Sequence, residues 1–80
     1  MKARVFVSFK RTVLDPQGQA VKKALNAHGH PAVSEVRQGK FFEIEMVSEG
    51  REQVLAELDT LAREVLVNPV IEEYRIEIPE

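Results

Sequence analysis

The side chains that could act as nucleophiles, bases or metal ligands are few in this 80-residue chain. Its serines (Ser8, Ser34 and Ser48) lie outside any Gly-x-Ser-x-Gly turn, and Ser48 has the position of a helix cap. His28 and His30 are two residues apart, whereas two metal ligands on one helical face need i, i+4 spacing. With no cysteine in the chain, distant carboxylates would have to converge. The spacing therefore predicts neither a nucleophilic site nor a metal site, and it leaves the roles of both histidines open.

Two pairs of carboxylates could in principle share acid and base roles. Glu72 and Glu73 are adjacent in a predicted strand, so their side chains point to opposite faces. Glu43 and Glu45 share a face, but an open sheet has no dry pocket that would separate their pKa values. A solvated surface is the better interpretation of both pairs.

The charge balance argues against anionic partners. Eleven basic residues stand against thirteen acidic ones, for a net charge of −2, which does not suit a phosphate backbone. Gly18 lies in no phosphate-binding loop, and Asp15 would repel a phosphate at the start of the helix. No apolar run exceeds three residues, whereas a membrane span needs about 20. We therefore expect no nucleic acid and no membrane as partner.

The apolar periodicity predicts four strands and two helices. The strands cover about residues 3–9, 33–37, 40–47 and 72–78, and Gln38-Gly39 forms a hairpin turn between the second and third. The first helix starts at Asp15-Pro16, buries Ala20, Val21, Ala24 and Leu25, and ends at a half-buried His28 and Gly29. The second helix is capped by Ser48 and stopped by Asn68-Pro69. Its apolar side chains follow one another at helical spacing and form the predicted buried stripe: Val54, Leu55, Leu58, Leu61, Ala62, Val65 and Leu66.

This order of elements predicts an α+β fold, a ferredoxin-like βαββαβ sandwich formed by residues 1–80 as a single domain. We expect a four-stranded, mainly antiparallel sheet of order 4-1-3-2, with a parallel central pair and both helices on one face. The other face is then open. It would carry the residues Arg4, Phe6, Phe41, Glu43, Val47 and Arg75, which we predict to form an oligomer interface.

The motifs in this chain resemble one family, the small PurS-type subunits of phosphoribosylformylglycinamidine synthase. The most specific part is Leu14-Asp15-Pro16-Gln17-Gly18. The resemblance continues in order along the chain, through Val5–Ser8, Lys10, Ala20-Val21, Val36-Arg37, Gly39-Lys40, Glu43, Leu66, Asn68, Val70–Glu72 and Tyr74. Phe9 departs from the usual leucine of the family.

The resemblance implies a non-catalytic subunit of a glutamine-dependent, ATP-using ligase of purine biosynthesis in the cytoplasm. Its partners would be a glutaminase subunit and a large synthetase subunit, between which ammonia passes to formylglycinamide ribonucleotide. ATP and magnesium would be used by the large subunit, and no cofactor is expected on this chain. A homo-oligomer, dimer or tetramer, is also implied.

The motif residues have two interpretations that the sequence leaves open. In the functional one, Lys10, Gln17, Gly18 and Lys40 bind a partner. In the structural one, Asp15-Pro16 is only a helix cap and Gly39-Lys40 only a turn. Asn68 is assigned a structural role in both, at the stop of the second helix. An alternative function is a stand-alone regulatory domain that binds a small effector at a dimer interface, and an autonomous enzyme is a third possibility.

Overall fold

The computed structural model describes residues 1–47 and 50–79 of the chain. Its strands are β1 (Lys2–Phe9), β2 (Gly39–Glu45) and β3 (Glu72–Glu77). Its helices are α1 (Pro16–Ala27) and α2 (Arg51–Leu61), and a π-helical turn (Ala62–Leu66) continues α2. The predicted helix cap Ser48 lies outside the described residues. In the structure the N-cap residue of α2 is Gly50.

Strand β1 lies in the middle of a three-stranded sheet of order β2-β1-β3. Both of its neighbours pair with it antiparallel, so the predicted parallel central pair is wrong. The predicted strand 33–37 does not pair in the sheet, and the predicted turn residue Gly39 is instead the first residue of β2, opposite Ser8. The described chain therefore forms three of the four expected strands, in the expected neighbour order 4-1-3.

The core lies between one face of this sheet and α2. Ala3, Val5 and Val7 alternate along β1 and are almost fully buried. Val54 and Leu58 of α2 close over them, and the half-buried Phe42, Ile44, Tyr74 and Ile76 pack around the two buried clusters. The alternating patterns predicted for the three strands are thus confirmed.

The π-helical turn explains one departure from the predicted apolar stripe of α2. Val67 N donates to Ala62 O at 3.0 Å, a bond that spans five residues instead of four. The extra residue in the turn rotates the following side chains around the axis. Val65, expected in the core, is 72% exposed as a result, while Val67 is buried beside Ala62.

Residues 10–38, which we call the arm, form an extension from one end of the sheet. In α1 the only buried residue is Gly18, and Val21 on its predicted buried side is 38% exposed. The prediction that both helices cover the sheet is therefore wrong for the described residues. The Cα radius of gyration is 15.8 Å, whereas a compact chain of this length has about 12 Å.

The ends of α1 agree with the sequence. Asp15 is the N-cap, Pro16 is the first helical residue, and Gly29 adopts a φ of 92°, the left-handed conformation that favours glycine. His28, predicted to be half-buried, is exposed.

Candidate partner-binding surfaces

The face of the sheet opposite α2 brings together most of the predicted oligomer interface. Phe6 lies between Phe41 and Arg75 in register, with the two phenylalanine ring centroids 5.7 Å apart. The Arg75 guanidinium lies 4.6 Å from the centre of the Phe6 ring, a cation–π contact. Phe41 remains 55% exposed. No described helix covers this cluster, which combines apolar area with a cation.

The ends of this face are charged. Arg4 lies opposite Glu43 on β2 and opposite Glu77 on β3. Arg75 donates to Glu77 at 2.9 Å on the exposed surface. Val47, also predicted here, lies beyond the end of β2 and is fully exposed. The structure thus groups five of the six predicted interface residues and leaves Val47 at the margin.

The base of the arm is organised by Asp15, the one buried polar residue among those described. One carboxylate oxygen accepts from Gly18 N at 2.9 Å and the other from Gln38 N at 2.7 Å. These backbone donors lower the pKa of the Asp15 carboxyl below its usual 3.8, and the nearby Arg37 charge adds to the effect. Asp15 therefore joins the start of α1 to the start of β2.

Arg37 also stabilises the junction between the arm and the sheet, through hydrogen bonds to backbone carbonyls. Its Nη2 donates to Lys10 O at 2.9 Å, Val13 O at 3.2 Å and Phe9 O at 3.3 Å. These carbonyls belong to the last residue of β1 and to the loop that leads from β1 to α1. Arg37 appears in the sequence analysis only as part of the resemblance, with no role of its own. A guanidinium carries five N–H donors, and the carbonyl groups of an irregular loop need hydrogen-bond partners. This complementarity was the one signal in the sequence that could have indicated the role of Arg37.

The predicted partner-binding residues lie around this junction. Gln17, Lys40 and Glu72 line one cleft at the end of the sheet. Gly18 is buried against its own chain, with the backbone of Val36 as the close neighbour. Lys10 donates its backbone N–H to Ile71 O at 2.9 Å. That these residues bind a partner stays a prediction.

Asn68 forms the turn that leads from α2 into β3. Its side-chain oxygen accepts from Val70 N at 3.1 Å, and its carbonyl accepts from Ile71 N and Glu72 N. The Glu72 carboxylate in turn accepts from Asn68 N at 2.8 Å. Asn68 therefore stabilises this turn, at the position where the sequence predicts a helix stop.

Tyr74 and Asp59 form a contact that sequence analysis missed. The Tyr74 hydroxyl donates to the Asp59 carboxylate, which also accepts from Arg63 at 3.1 Å. This bond lowers the pKa of Asp59 and raises the pKa of Tyr74 above its ordinary 10.0. The pair ties β3 to α2, and no sequence spacing pointed to it because the two residues meet only in the folded sheet.

Within residues 1–47 and 50–79, no three His, Asp or Glu side chains cluster in a way that could hold a metal ion. No helix in those ranges is long and apolar enough to cross a membrane. What the geometry offers is surface for contact: an aromatic sheet face and a projecting arm.

Comparison with known proteins identifies the family. The sequence profile described as PurS, phosphoribosylformylglycinamidine (FGAM) synthase, matches residues 2–80. The chain is 42% identical to the PurS subunit of that synthase from Bacillus subtilis, over 99% of this chain and 93% of that protein. It is 38% identical to the subunit from Methanocaldococcus jannaschii, over 96% and 93%.

Solved structures agree with the sequence comparison. The crystal structure of M. jannaschii PurS superimposes with a TM-score of 0.88 at 37% identity, over 99% of this chain and 95% of that one. A chain of the PurLQS structure from Thermotoga maritima gives 0.86 at 30% identity, over 95% and 93%. The resemblance seen in the motifs is thereby confirmed: the chain belongs to the PurS family of phosphoribosylformylglycinamidine synthase subunits.

Proposed function

We propose that this chain is the non-catalytic connector of its synthase. It binds the glutaminase subunit and the large synthetase subunit, so that ammonia from glutamine reaches formylglycinamide ribonucleotide without escaping to water. The observation that carries the proposal is the likeness to a chain of PurLQS from T. maritima, with a TM-score of 0.86 over 95% of this chain. A subunit of a glutamine-dependent ligase of purine biosynthesis needs no active site of its own for this role.

The distribution of polar groups supports a connector without cofactors. Asp15 is the buried carboxylate of the described residues, and both its oxygens are occupied by backbone N–H groups of the same chain. It is therefore not available as a base or a metal ligand. We assign ATP and magnesium to the large subunit and none to this chain, and we propose a cytoplasmic location, as for the rest of this pathway.

The open sheet face supports self-association. Phe6, Phe41 and Arg75 form a cluster in which aromatic and guanidinium groups, the types enriched at binding hot spots, lie side by side. We propose that this face pairs copies of the chain into a dimer or tetramer. We further propose that the four-stranded order 4-1-3-2 forms only in the oligomer, because 33–37 lies outside the sheet of the single chain.

Assembly with the other two subunits tests the proposal. The three proteins from one organism are mixed with glutamine, ATP and magnesium, and the mixture is analysed by size exclusion with light scattering. We expect one complex that contains all three and that does not form when this chain is omitted. A chain that elutes alone under every nucleotide condition contradicts the proposal. Tight binding of glycine, glutamine or a nucleotide to the isolated chain would favour the regulatory alternative.

A further inference from the structure

Strand β3 has an outer edge whose backbone groups are unpaired within the described residues. It pairs there with β1 alone, on its inner side. Lys10 N donates to Ile71 O at 2.9 Å, which continues the antiparallel register of the two strands, so the odd-numbered residues of β3 are hydrogen-bonded to β1. The even-numbered residues therefore direct their N–H and C=O groups to the outer edge. Beyond the first residue of the strand, these are Tyr74, Ile76 and, one position past the end of β3, Ile78.

This edge lacks several of the features that keep sheet edges apart. Soluble proteins protect exposed edges with lysine, proline, bulges or covering segments. Residues 72–78 contain no lysine and no proline, and the strand keeps an unbroken register with β1 over six residue pairs, without a bulge. Its open face instead carries charges of both signs in the order Glu73, Arg75, Glu77. The side chains of Arg75 and Glu77 are 67% and 44% exposed, so a second strand could meet both.

The charge order of β3 is complementary to itself. When two copies of the strand run antiparallel with Ile76 opposite Ile76, Arg75 of each copy lies directly opposite Glu77 of the other. Opposite charges at facing positions stabilise a strand pair. On the helix side of the sheet, Tyr74 of each copy lies opposite Ile78 of the other. All the free backbone groups at positions 74, 76 and 78 are then hydrogen-bonded between the copies.

The neighbouring registers fit less well. With Arg75 opposite Arg75, like charges face each other at the axis, and Glu73 lies opposite Glu77. With Tyr74 opposite Tyr74, the paired region reaches Glu72, whose N–H is already held by Asn68 O at 2.8 Å. Only the register centred on Ile76 pairs opposite charges along the whole free part of the strand.

A cleft beside the start of β3 favours the same occupant. It has a volume of about 320 Å³, and its lining residues are Arg63, Val67, Pro69, Glu72, Glu73 and Tyr74. Tyr74 is fixed at this place by its hydrogen bond to Asp59 of α2. In the register centred on Ile76, Ile78 of the second copy lies next to Tyr74 and brings an apolar side chain to the cleft. The cleft and the charge order are separate observations that agree on a second β3 strand.

We propose that two copies of this chain pair through their β3 edges, antiparallel about a two-fold axis at Ile76. The three-stranded sheets then join into a continuous six-stranded sheet of order β2-β1-β3-β3-β1-β2. Because the axis is perpendicular to the sheet, both α2 helices lie on one face and both open faces on the other. The inference rests on the proposed self-association, and it adds an edge contact to the face contact proposed above.

Cross-linking through a single cysteine tests the register, since the chain has no cysteine of its own. Glu77→Cys is treated with a short bismaleimide, which cannot link one cysteine within its own chain. In the proposed pair the two substituted positions are two residues along and one strand across, about 8–9 Å apart. We expect a covalent dimer on a denaturing gel.

Glu73→Cys is the matched control for this cross-link, on the same strand and the same face. Its two copies would lie six residues apart along the strands, about 20 Å, and should not be linked. No covalent dimer from Glu77→Cys overturns the proposal. Equal yields of dimer from Glu77→Cys and Glu73→Cys also overturn it, because the link would then not depend on the register.

Charge reversal tests the contact between Arg75 and Glu77. Glu77→Arg places like charges opposite each other on both sides of the axis. We expect the affected association step to need a concentration at least tenfold higher, by analytical ultracentrifugation. Glu73→Arg makes the same charge change at a position opposite Pro79 and should leave every step unchanged. An association curve of Glu77→Arg equal to that of the unchanged protein, or an equal loss in both variants, would contradict the edge pairing.

The edge contact is separable from the other proposed contacts. Phe41 lies on β2, on the far side of β1 from this edge. With Phe41→Ser added, the link formed by Glu77→Cys should therefore persist, and its loss would show that the two β3 strands do not pair by themselves. Assembly with the glutaminase and synthetase subunits is measured separately, so that failure of the edge pairing is distinguished from failure of the connector role.

Discussion

Gly18 and Val36 are in backbone contact across the arm. A Cβ atom on Gly18 would lie 2.2 Å from the Val36 carbonyl oxygen and 2.8 Å from the Asp15 carboxylate. A glycine in the first turn of a helix is otherwise unfavourable, since it costs about 1 kcal/mol relative to alanine. Its presence here follows from the close approach of the Val36 backbone to α1.

This contact predicts that Gly18→Ala destabilises the protein despite the better helix propensity of alanine. The added methyl group has no space beside a backbone oxygen, and overpacking of this kind costs about 1–3 kcal/mol. We expect a lower melting temperature by circular dichroism. Gln19→Ala, an exposed position in the same turn, is the control and should melt within a degree or two of the unchanged protein. A Gly18→Ala protein that melts higher would mean that the arm is not packed as described.

The carboxylate of Asp15 predicts how stability depends on pH. Its pKa is lowered on folding, so the unfolded chain binds a proton more readily, and the stabilisation is complete above the unfolded pKa of 3.8. The stabilisation by Asp15 is then lost as the pH falls below 3.8 and passes through the lower pKa that this carboxyl has in the folded protein. Asp15→Asn keeps one acceptor oxygen but turns an N–H group toward a backbone donor.

Thermal melts between pH 3 and pH 7 test this linkage. We expect Asp15→Asn to melt below the unchanged protein at pH 7, with a difference that shrinks toward pH 3. Glu52→Gln, in the first turn of α2, is a control that leaves the arm untouched. A difference between Asp15→Asn and the unchanged protein that stays constant over the whole range would contradict the assigned pKa shift.

Tyr74 offers a spectroscopic test of the sheet–helix contact. It is the only tyrosine and the chain has no tryptophan, so ultraviolet absorbance in alkali reports its ionisation alone. The Asp59 hydrogen bond raises the pKa of Tyr74, and Asp59→Asn should therefore lower the titration midpoint. Glu57→Gln removes an exposed carboxylate nearby and should leave the midpoint where it is. Equal midpoints in the Asp59→Asn and unchanged proteins would show that the contact does not form in solution.

The features of the fold that depend on a local sequence pattern were predictable. The alternation along β1, the cap at Asp15, the left-handed Gly29 and the stop at Asn68 each follow from residue type and spacing over a few positions. The contact of Gly18 with Val36 and the hydrogen bonds of Arg37 to the loop after β1 were not predictable in this way. In each case the two partners are distant in the sequence and meet only in the folded chain. The π-helical turn that exposes Val65 has no sequence signal that we recognise.

The largest difference between the sequence prediction and the structure concerns the arm, whose helix α1 was predicted to cover the sheet and does not. The strand pattern of residues 33–37 and the helix pattern of α1 were read as parts of one chain's sandwich, because sequence periodicity states which face is apolar but not which molecule covers it. The strand pattern of residues 33–37 is satisfied in the oligomer that we propose, where the four-stranded order forms. The candidate interface on the open face was predictable because side chains alternate strictly along strands.

The open face yields a further prediction. Phe41 is 55% exposed and its ring lies beside that of Phe6. Phe41→Ser should therefore weaken self-association through this face by about thirtyfold, which corresponds to the roughly 2 kcal/mol of a hot-spot side chain. Analytical ultracentrifugation over a concentration series measures this. Val70→Ser removes another exposed apolar side chain away from this face and should have no effect. Equal association constants for Phe41→Ser and the unchanged protein would remove the open face from the oligomer.

The connector role is tested most directly by the source of nitrogen that the reconstituted enzyme can use. FGAM formation is measured with the glutaminase and synthetase subunits, with and without this chain, and with either glutamine or ammonium as donor. We predict that ammonium supports synthesis without this chain, whereas glutamine supports it only when this chain is present. Full glutamine-dependent synthesis in its absence would contradict the account.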